Sequence, residues 1–472
     1  MTDASTSEST SARATVSAPT PRPGPTAPRS YSFPRFERMT LSNGMRLVVA
    51  PVAKLPLVTV SAVVDAGAAA EREGEEGVAS LTAQLLLEGA AGLDGAALAD
   101  RFERIGAAAD AHADWDAATI SLTALTDRLP EALSLVRDLL RAPEFPEREV
   151  VRLKDERLAE ILRLRAEPGA LADEQFDRAT YSPTARYAWP AGGTAASVRA
   201  LTRDLIRTFY SQHYQPGATT LVFAGDVTVG DAVALAESLF GDWSGEALRD
   251  VPRPFDTAPR TGVVRVVGKA DAPQSEIRVG HVGLPRKHPD YFDAMVMNAI
   301  LGGLFSSRIN LNLREAHGYT YGAFSAFEWR RAAGPFTIHT AVKSDVTGAA
   351  VREILKEIDG LRAAEVSNDE LTLATSYLDG VFPIRYETTA AIATALSNLV
   401  IHGLPDSYYD EYRERVRGVT PGGVLRAARQ HLHPDELRIV VVGDPTVIST
   451  PLAEATGAPV EVVNPDGVET TA

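Results

Sequence analysis

Three positions in one short stretch have the spacing of a catalytic metal site and the wrong atoms for it. Within residues 74–89, Ser80 and Gln84 lie four apart, so on a helix they share a face, with Ala83 beside them. Histidines at the outer two positions and a glutamate between them would hold a zinc ion and activate its water. The chain carries instead a hydroxyl, a methyl and a carboxamide. Neither serine nor glutamine is a common zinc ligand, and alanine cannot accept a proton.

Other candidate chemistry is thin. The nine histidines are His112, His213, His281, His288, His317, His339, His402, His431 and His433, and none forms an i, i+4 pair with an acidic residue between. His431 and His433 flank a helix end before Pro434 and read as capping or surface groups. Ser80 has no Gly-x-Ser-x-Gly setting and no base nearby in sequence. Gly302-Gly303 lacks the Lys-Ser/Thr of a phosphate loop and follows a helix rather than a strand. Glu328-Trp329-Arg330-Arg331 reads as a solvated turn beside a hairpin, in preference to a surface patch for a partner contact.

Residues 313–321 offer more. They read as a helix end, a Gly318 cap and a strand carrying Tyr321. A guanidinium at Arg314 and a phenol at Tyr321 both donate hydrogen bonds, and both suit a peptide carbonyl or a developing oxyanion. The same two residues also fit a core tyrosine and an arginine neutralising a helix C-terminus.

The elements that must position these groups follow from periodicity. Met39 to Val49 carries Asn43-Gly44 between extended runs, a tight hairpin signal. Leu57 to Val64 is a buried apolar strand, followed by the helix containing Ser80. Ala96 to Ile105 and Leu129 to Leu140 have helical apolar spacing, while Ala117 to Leu125 alternates like a strand. Glu147 to Arg165 is a long charged helix closed by Pro168. Thr202 to His213 is another helix, turned by Pro216-Gly217 into the strand Thr219 to Ala224.

At 472 residues with 45% hydrophobic content, the chain is globular and too long for one typical core. Its net charge of −15 argues against a general binder of phosphate backbones. The absence of cysteine excludes disulfides, thiolate metal sites and a cysteine nucleophile. No apolar run approaches a membrane span and no secretory signal is visible, so a cytoplasmic location is expected. Residues 1–35, rich in Ser, Thr, Ala and Pro, read as a disordered leader.

The second half repeats the first. Val198-Arg199-Ala200-Leu201-Thr202 matches Val416-Arg417-Gly418-Val419-Thr420, and Gln212-His213 matches Gln430-His431. Pro216 matches Pro434, and Gly225-Asp226 matches Gly443-Asp444, always 218 positions on. This implies two homologous α+β domains, 36–249 and 262–455, joined by a Pro-rich linker at 250–261 and followed by a tail at 456–472.

These motifs, in order, resemble the pitrilysin/insulinase family of zinc metallopeptidases. Gly67 to Glu71 with Gly77-Val78-Ala79 is similar to the approach to that family's inverted motif, His-x-x-Glu-His. Gly193-Thr194 with Ser197-Val198, Tyr214-x-Pro216 and Ala224-Gly225-Asp226 follow in order. Leu301-Gly302-Gly303, Ser307-Arg308 and Leu313-Arg314-Glu315-x-x-Gly318-x-x-Tyr321 complete the pattern.

The resemblance implies two domains, each a mainly antiparallel sheet packed with helices, together forming half of a clam-like chamber. It places Ser80 at the first histidine, Ala83 at the general base, Gln84 at the second histidine and Glu160 at the third ligand. It therefore implies no catalytic residue and no metal in this chain. Zinc is expected in a homologous catalytic subunit, with Arg314 and Tyr321 binding the peptide substrate across the chamber. The expected function is that of a non-catalytic subunit of a heterodimeric peptidase, inactive alone. The alternative is a structural or assembly subunit of a larger complex.

Overall fold

Every residue of the strand Leu57–Val64 except Leu57 is fully buried. A strand with one wet face would alternate, so both of its faces must be covered. In the computed structural model, which describes residues 30–245 and 262–469, that is the arrangement found. The strand lies inside a six-stranded sheet ordered Glu37–Thr40, Arg46–Pro51, Thr219–Gly225, Leu57–Val64, Ala118–Leu125, Ala109–Ala113. All neighbours are antiparallel except Arg46–Pro51 with Thr219–Gly225.

A second six-stranded sheet is built from the later half. Its order is Ala323–Phe327, Pro335–Lys343, Gln274–Val282, Arg438–Gly443, Val263–Gly268, Val460–Val463. Five strands repeat the first sheet's arrangement, with Val263–Gly268 and Arg438–Gly443 as the parallel pair. The sixth differs: Val460–Val463, within the stretch read as a tail, adds a parallel edge strand. Local chemistry repeats too. Thr202 and Thr420 each cap a helix, their Oγ1 atoms accepting from Leu205 N at 3.3 Å and Gly423 N at 3.1 Å. Pro216–Ala218 and Pro434–Glu436 are single 3-10 turns before the matching central strands.

The halves are tied by exchanged helices. Pro168–Thr180 belongs to the first half by sequence, yet it packs on Gln274–Val282 and Arg438–Gly443 of the second sheet. Leu171, Ala172, Phe176 and Ala179 form one buried cluster with Val267, Val440, Val442 and Val463. In return, Thr389–His402 lies on Leu57–Val64 and Thr219–Gly225 of the first sheet, with Thr389 Oγ1 2.8 Å from Thr59 Oγ1. The first sheet's other face receives Val78–Leu85 and Leu129–Arg141, the latter an amphipathic helix that buries Leu133, Val136 and Leu140. Each sheet is thus sandwiched between its own helices and one from the other half.

Residues 1–29 of the expected leader and the whole of the expected linker, 250–261, lie outside the described residues. No helix among the described residues is long and apolar enough to cross a membrane.

Candidate functional site

The helix bearing the substituted triplet is shorter than its sequence suggested, running Val78–Leu85 before a 3-10 turn Leu86–Glu88. Gly77 precedes it with φ of 96° and gives no side-chain cap. The acceptor comes from Glu71, whose Oε1 receives the N–H of Gly77 at 3.1 Å and of Ala79 at 2.8 Å. Glu71 is held in turn by Arg186, 2.6 Å away, and its side chain is wholly enclosed. Burial pushes its pKa up to about 7, against the pull of Arg186 and the two N–H groups.

The loop behind this helix explains another motif. At Gly193, φ is 79° and a Cβ would stand 2.2 Å from Glu76 O, so only glycine fits. Thr194 and Ser197 then form a capping box, and Ser197 Oγ also donates to Glu76 O at 2.9 Å.

Val78–Leu85 packs against Glu147–Ala166, so the triplet and Glu160 sit on neighbouring helices. Gln84 is exposed and Ser80 half-buried, and Gln84 Nε2 donates to Ser80 Oγ at 3.4 Å. Ala83 is 1% exposed, part of the core. Glu160 is 48% exposed and ion-paired with Arg157 at 2.6 Å. A hydroxyl, a carboxamide and an already paired carboxylate do not make a zinc site, which needs three good donors and an open position. The residues here do not fit the metal.

Arg314 lies in a π-helical turn, Leu311–Ala316, ended by Gly318 with φ of 66°. Its guanidinium stacks on Phe305, 4.5 Å from the ring centre, and its Nη1 is 3.4 Å from Glu315. Tyr321 does not lie in a strand as its sequence suggested. The strand begins at Ala323, and Tyr321 stands in the preceding loop with 95% of its surface exposed. Among the described residues no hydrogen bond or ion pair joins Arg314 to Tyr321, but Asn310 ties their loops together, bonding Phe305 O and the N–H of Ala323. Phe305, Leu311 and Phe324 are exposed as well. Gly302 and Gly303 close another π-helical turn, Ala299–Gly303, rather than an open loop, with Gly302 pressed against Ser325.

Two sequence readings are overturned. Glu328 to Arg331 is no solvated turn: Arg330 is 2% exposed, stacked over Trp115 at 4.1 Å and Tyr187 at 4.5 Å. Arg331 reaches into the first half, its Nη1 2.5 Å from Asp65 and its backbone N–H 2.8 Å from Asp116 Oδ2. Charge beside a hairpin normally faces water, and nothing local in the sequence marks these arginines as bridging residues. Likewise His431 is no simple cap. It bonds Asp290 at 2.8 Å beside His288, residues remote in sequence.

Comparison with known proteins places the chain. Residues 48–187 match the family model Insulinase (Peptidase family M16), and 200–378 match Peptidase M16 inactive domain. The chain is a member of the M16 peptidase family. It is 26% identical over 402 residues to an uncharacterized zinc protease of Streptomyces coelicolor, covering 84% of this chain and 87% of that one. It is 30% identical over 284 residues to a probable mitochondrial-processing peptidase subunit beta of Schizosaccharomyces pombe, covering 57% and 60%. A crystal structure of a peptidase M16 inactive domain from Pseudomonas fluorescens superposes with a TM-score of 0.81 at 27% identity, over 87% of this chain and 98% of that one.

Proposed function

We propose that this chain is the non-catalytic, substrate-binding subunit of a heterodimeric zinc metallopeptidase acting on peptides. The observation that carries the reading is the pairing of substituted metal positions, Ser80, Ala83 and Gln84, with a half-buried Arg314, whose Nη1 has no hydrogen-bond partner, and an exposed Tyr321. Hydrolysis then belongs to a homologous partner chain with His-x-x-Glu-His, which supplies the zinc. This chain supplies hydrogen-bond donors: the Tyr321 phenol is free in solvent, and Arg314 is oriented by Phe305. Both suit the main-chain carbonyls of an extended peptide, whose recognition is independent of its side chains. The exposed Phe305, Leu311 and Phe324 around them favour a role at a contact surface.

The test is reconstitution with a homologous chain that carries His-x-x-Glu-His, followed by a peptide-cleavage assay. Arg314→Ala and Tyr321→Phe are each expected to slow cleavage about tenfold or more, the scale of losing one donor to a developing oxyanion. Unchanged cleavage in both variants would favour a purely structural subunit instead.

A further inference from the structure

A cavity of about 390 Å³ lies between the halves, walled by the helices Glu147–Ala166 and Pro168–Thr180, the loop 190–195 and the arginine-bearing loop that follows Phe327. Its size is that of a small-ligand site. Trp115, Ile161 and Leu164 give it an apolar wall, and several charged groups face it.

All but one of those charges are already paired. Arg330 clasps Glu328 through two bonds, Nε to Oε1 at 3.1 Å and Nη2 to Oε2 at 2.6 Å. Arg178 pairs with Glu174 at 2.7 Å, and Asp173 accepts from Arg278. Arg157 is held by Glu160 and by Gly192 O, and Arg165 by Asp466. Asp177 is the exception. Its carboxylate lines the cavity with no hydrogen-bond or ion-pair partner among the described residues.

The residue is half-buried, and a partly desolvated carboxylate with no partner is unfavourable unless something completes it. Arg178 Nε and Arg330 Nη1 lack acceptors, but the charge of each guanidinium facing the cavity is already balanced by a carboxylate, so no net positive charge is left to hold an anion. A divalent metal would need further oxygen or nitrogen donors, and the other carboxylates are engaged. What remains is one negative charge beside a hydrocarbon surface. We propose that this cavity binds a small organic cation, a primary ammonium or guanidinium on a short hydrocarbon stem, with Asp177 as its counter-ion. The ammonium sits on Asp177 and the stem lies along Ile161 and Leu164. This site belongs to the single chain and does not depend on any partner subunit.

The electrostatics give the binding a pH signature. Burial raises Asp177 to about 7, with Glu328, Asp173 and Glu174 pushing the same way and Arg330 opposing. An alkylammonium stays charged throughout this range. Affinity should therefore rise as pH increases through neutrality and Asp177 ionises.

Titration calorimetry of the full chain with n-pentylamine and with 1-pentanol tests this. The expected result is saturable one-to-one binding of the amine at about pH 8, weakened roughly tenfold at about pH 6, with pentanol at least about tenfold weaker. Asp177→Asn is expected to lower amine affinity at least about tenfold. Leu164→Trp, which fills the cavity and spares the carboxylate, should give a similar loss. Absence of saturable amine binding overturns the proposal, as does pentanol binding equal to the amine. So does an unaltered affinity in both variants, or one that does not change with pH.

Discussion

Glu71 and Asp177 are both buried carboxylates raised to about 7, yet their situations are opposite. Glu71 is ringed by donors: Arg186 and two backbone N–H groups. Removing it leaves an enclosed guanidinium and two uncapped amides, so Glu71→Ala should destabilise by about 3–5 kcal/mol in denaturant melts. A double variant with Arg186→Ala should cost well below the sum of the two single changes. Asp177 has no such partners, and its removal should help. A carboxylate whose folded pKa lies above its ordinary range holds a proton that the unfolded chain has released. Unfolding free energy from this group is therefore fully present at acid pH and is lost as pH rises through about 7. Asp177→Asn should flatten that fall and raise stability at about pH 8 by roughly 1–2 kcal/mol. Urea titrations at several pH values read both effects. At this scale the triplet Ser80, Ala83 and Gln84 was singled out by the family resemblance, whose metal motif is a local pattern on one helix face. Asp177 could not be singled out from the sequence, since its isolation follows from where every neighbouring charge found its partner.

Among the elements, Pro168–Thr180 is the most telling. Its apolar residues Leu171, Ala172, Phe176 and Ala179 recur at helical spacing, so the existence of an amphipathic helix is written in the chain. What they cover is not. They pack on Val267, Val440, Val442 and Val463, far along the sequence. Phe176→Ala should therefore cost about 3–5 kcal/mol, with the loss reported by amides of the second sheet rather than the first in hydrogen exchange. The strands Leu57–Val64 and Thr219–Gly225 were legible as buried because both read as unbroken β-favouring runs. The hidden element was their second cover, Thr389–His402. The placement of Tyr321 failed for a related reason: the strand signal starts at Ala323, and the loop before it obeys Asn310 and Thr320, whose side chains fix the turn. Hairpin-adjacent charge misled in the same way, since Arg330 and Arg331 are placed by Trp115, Tyr187, Asp65 and Asp116 of the other half.

For the whole molecule, reciprocal exchange changes what a domain means here. The sequence repeat divides the chain near residue 250, and each half has its own six-stranded sheet. Yet neither half holds all of its own core. A fragment spanning 36–249 would keep Pro168–Thr180 with nothing for Leu171 and Phe176 to cover, and would expose the face of Leu57–Val64 that Thr389–His402 shields. A fragment spanning 262–455 would lack that helix's counterpart, and also the edge strand Val460–Val463. Each would present an apolar sheet face of the kind that drives association of open sheets. The expected outcome is that either fragment alone aggregates or shows poorly dispersed amide resonances, while mixing the two restores a one-to-one complex with native dispersion. Extending the second fragment to 469 should improve recovery. If instead 36–249 alone gave a monomer with sharp, dispersed resonances, the exchanged helices would be ornaments on two self-sufficient cores. The bridging arginines argue against that, because Arg330 meets Trp115 and Tyr187, and Arg331 meets Asp65 and Asp116, only in the intact chain.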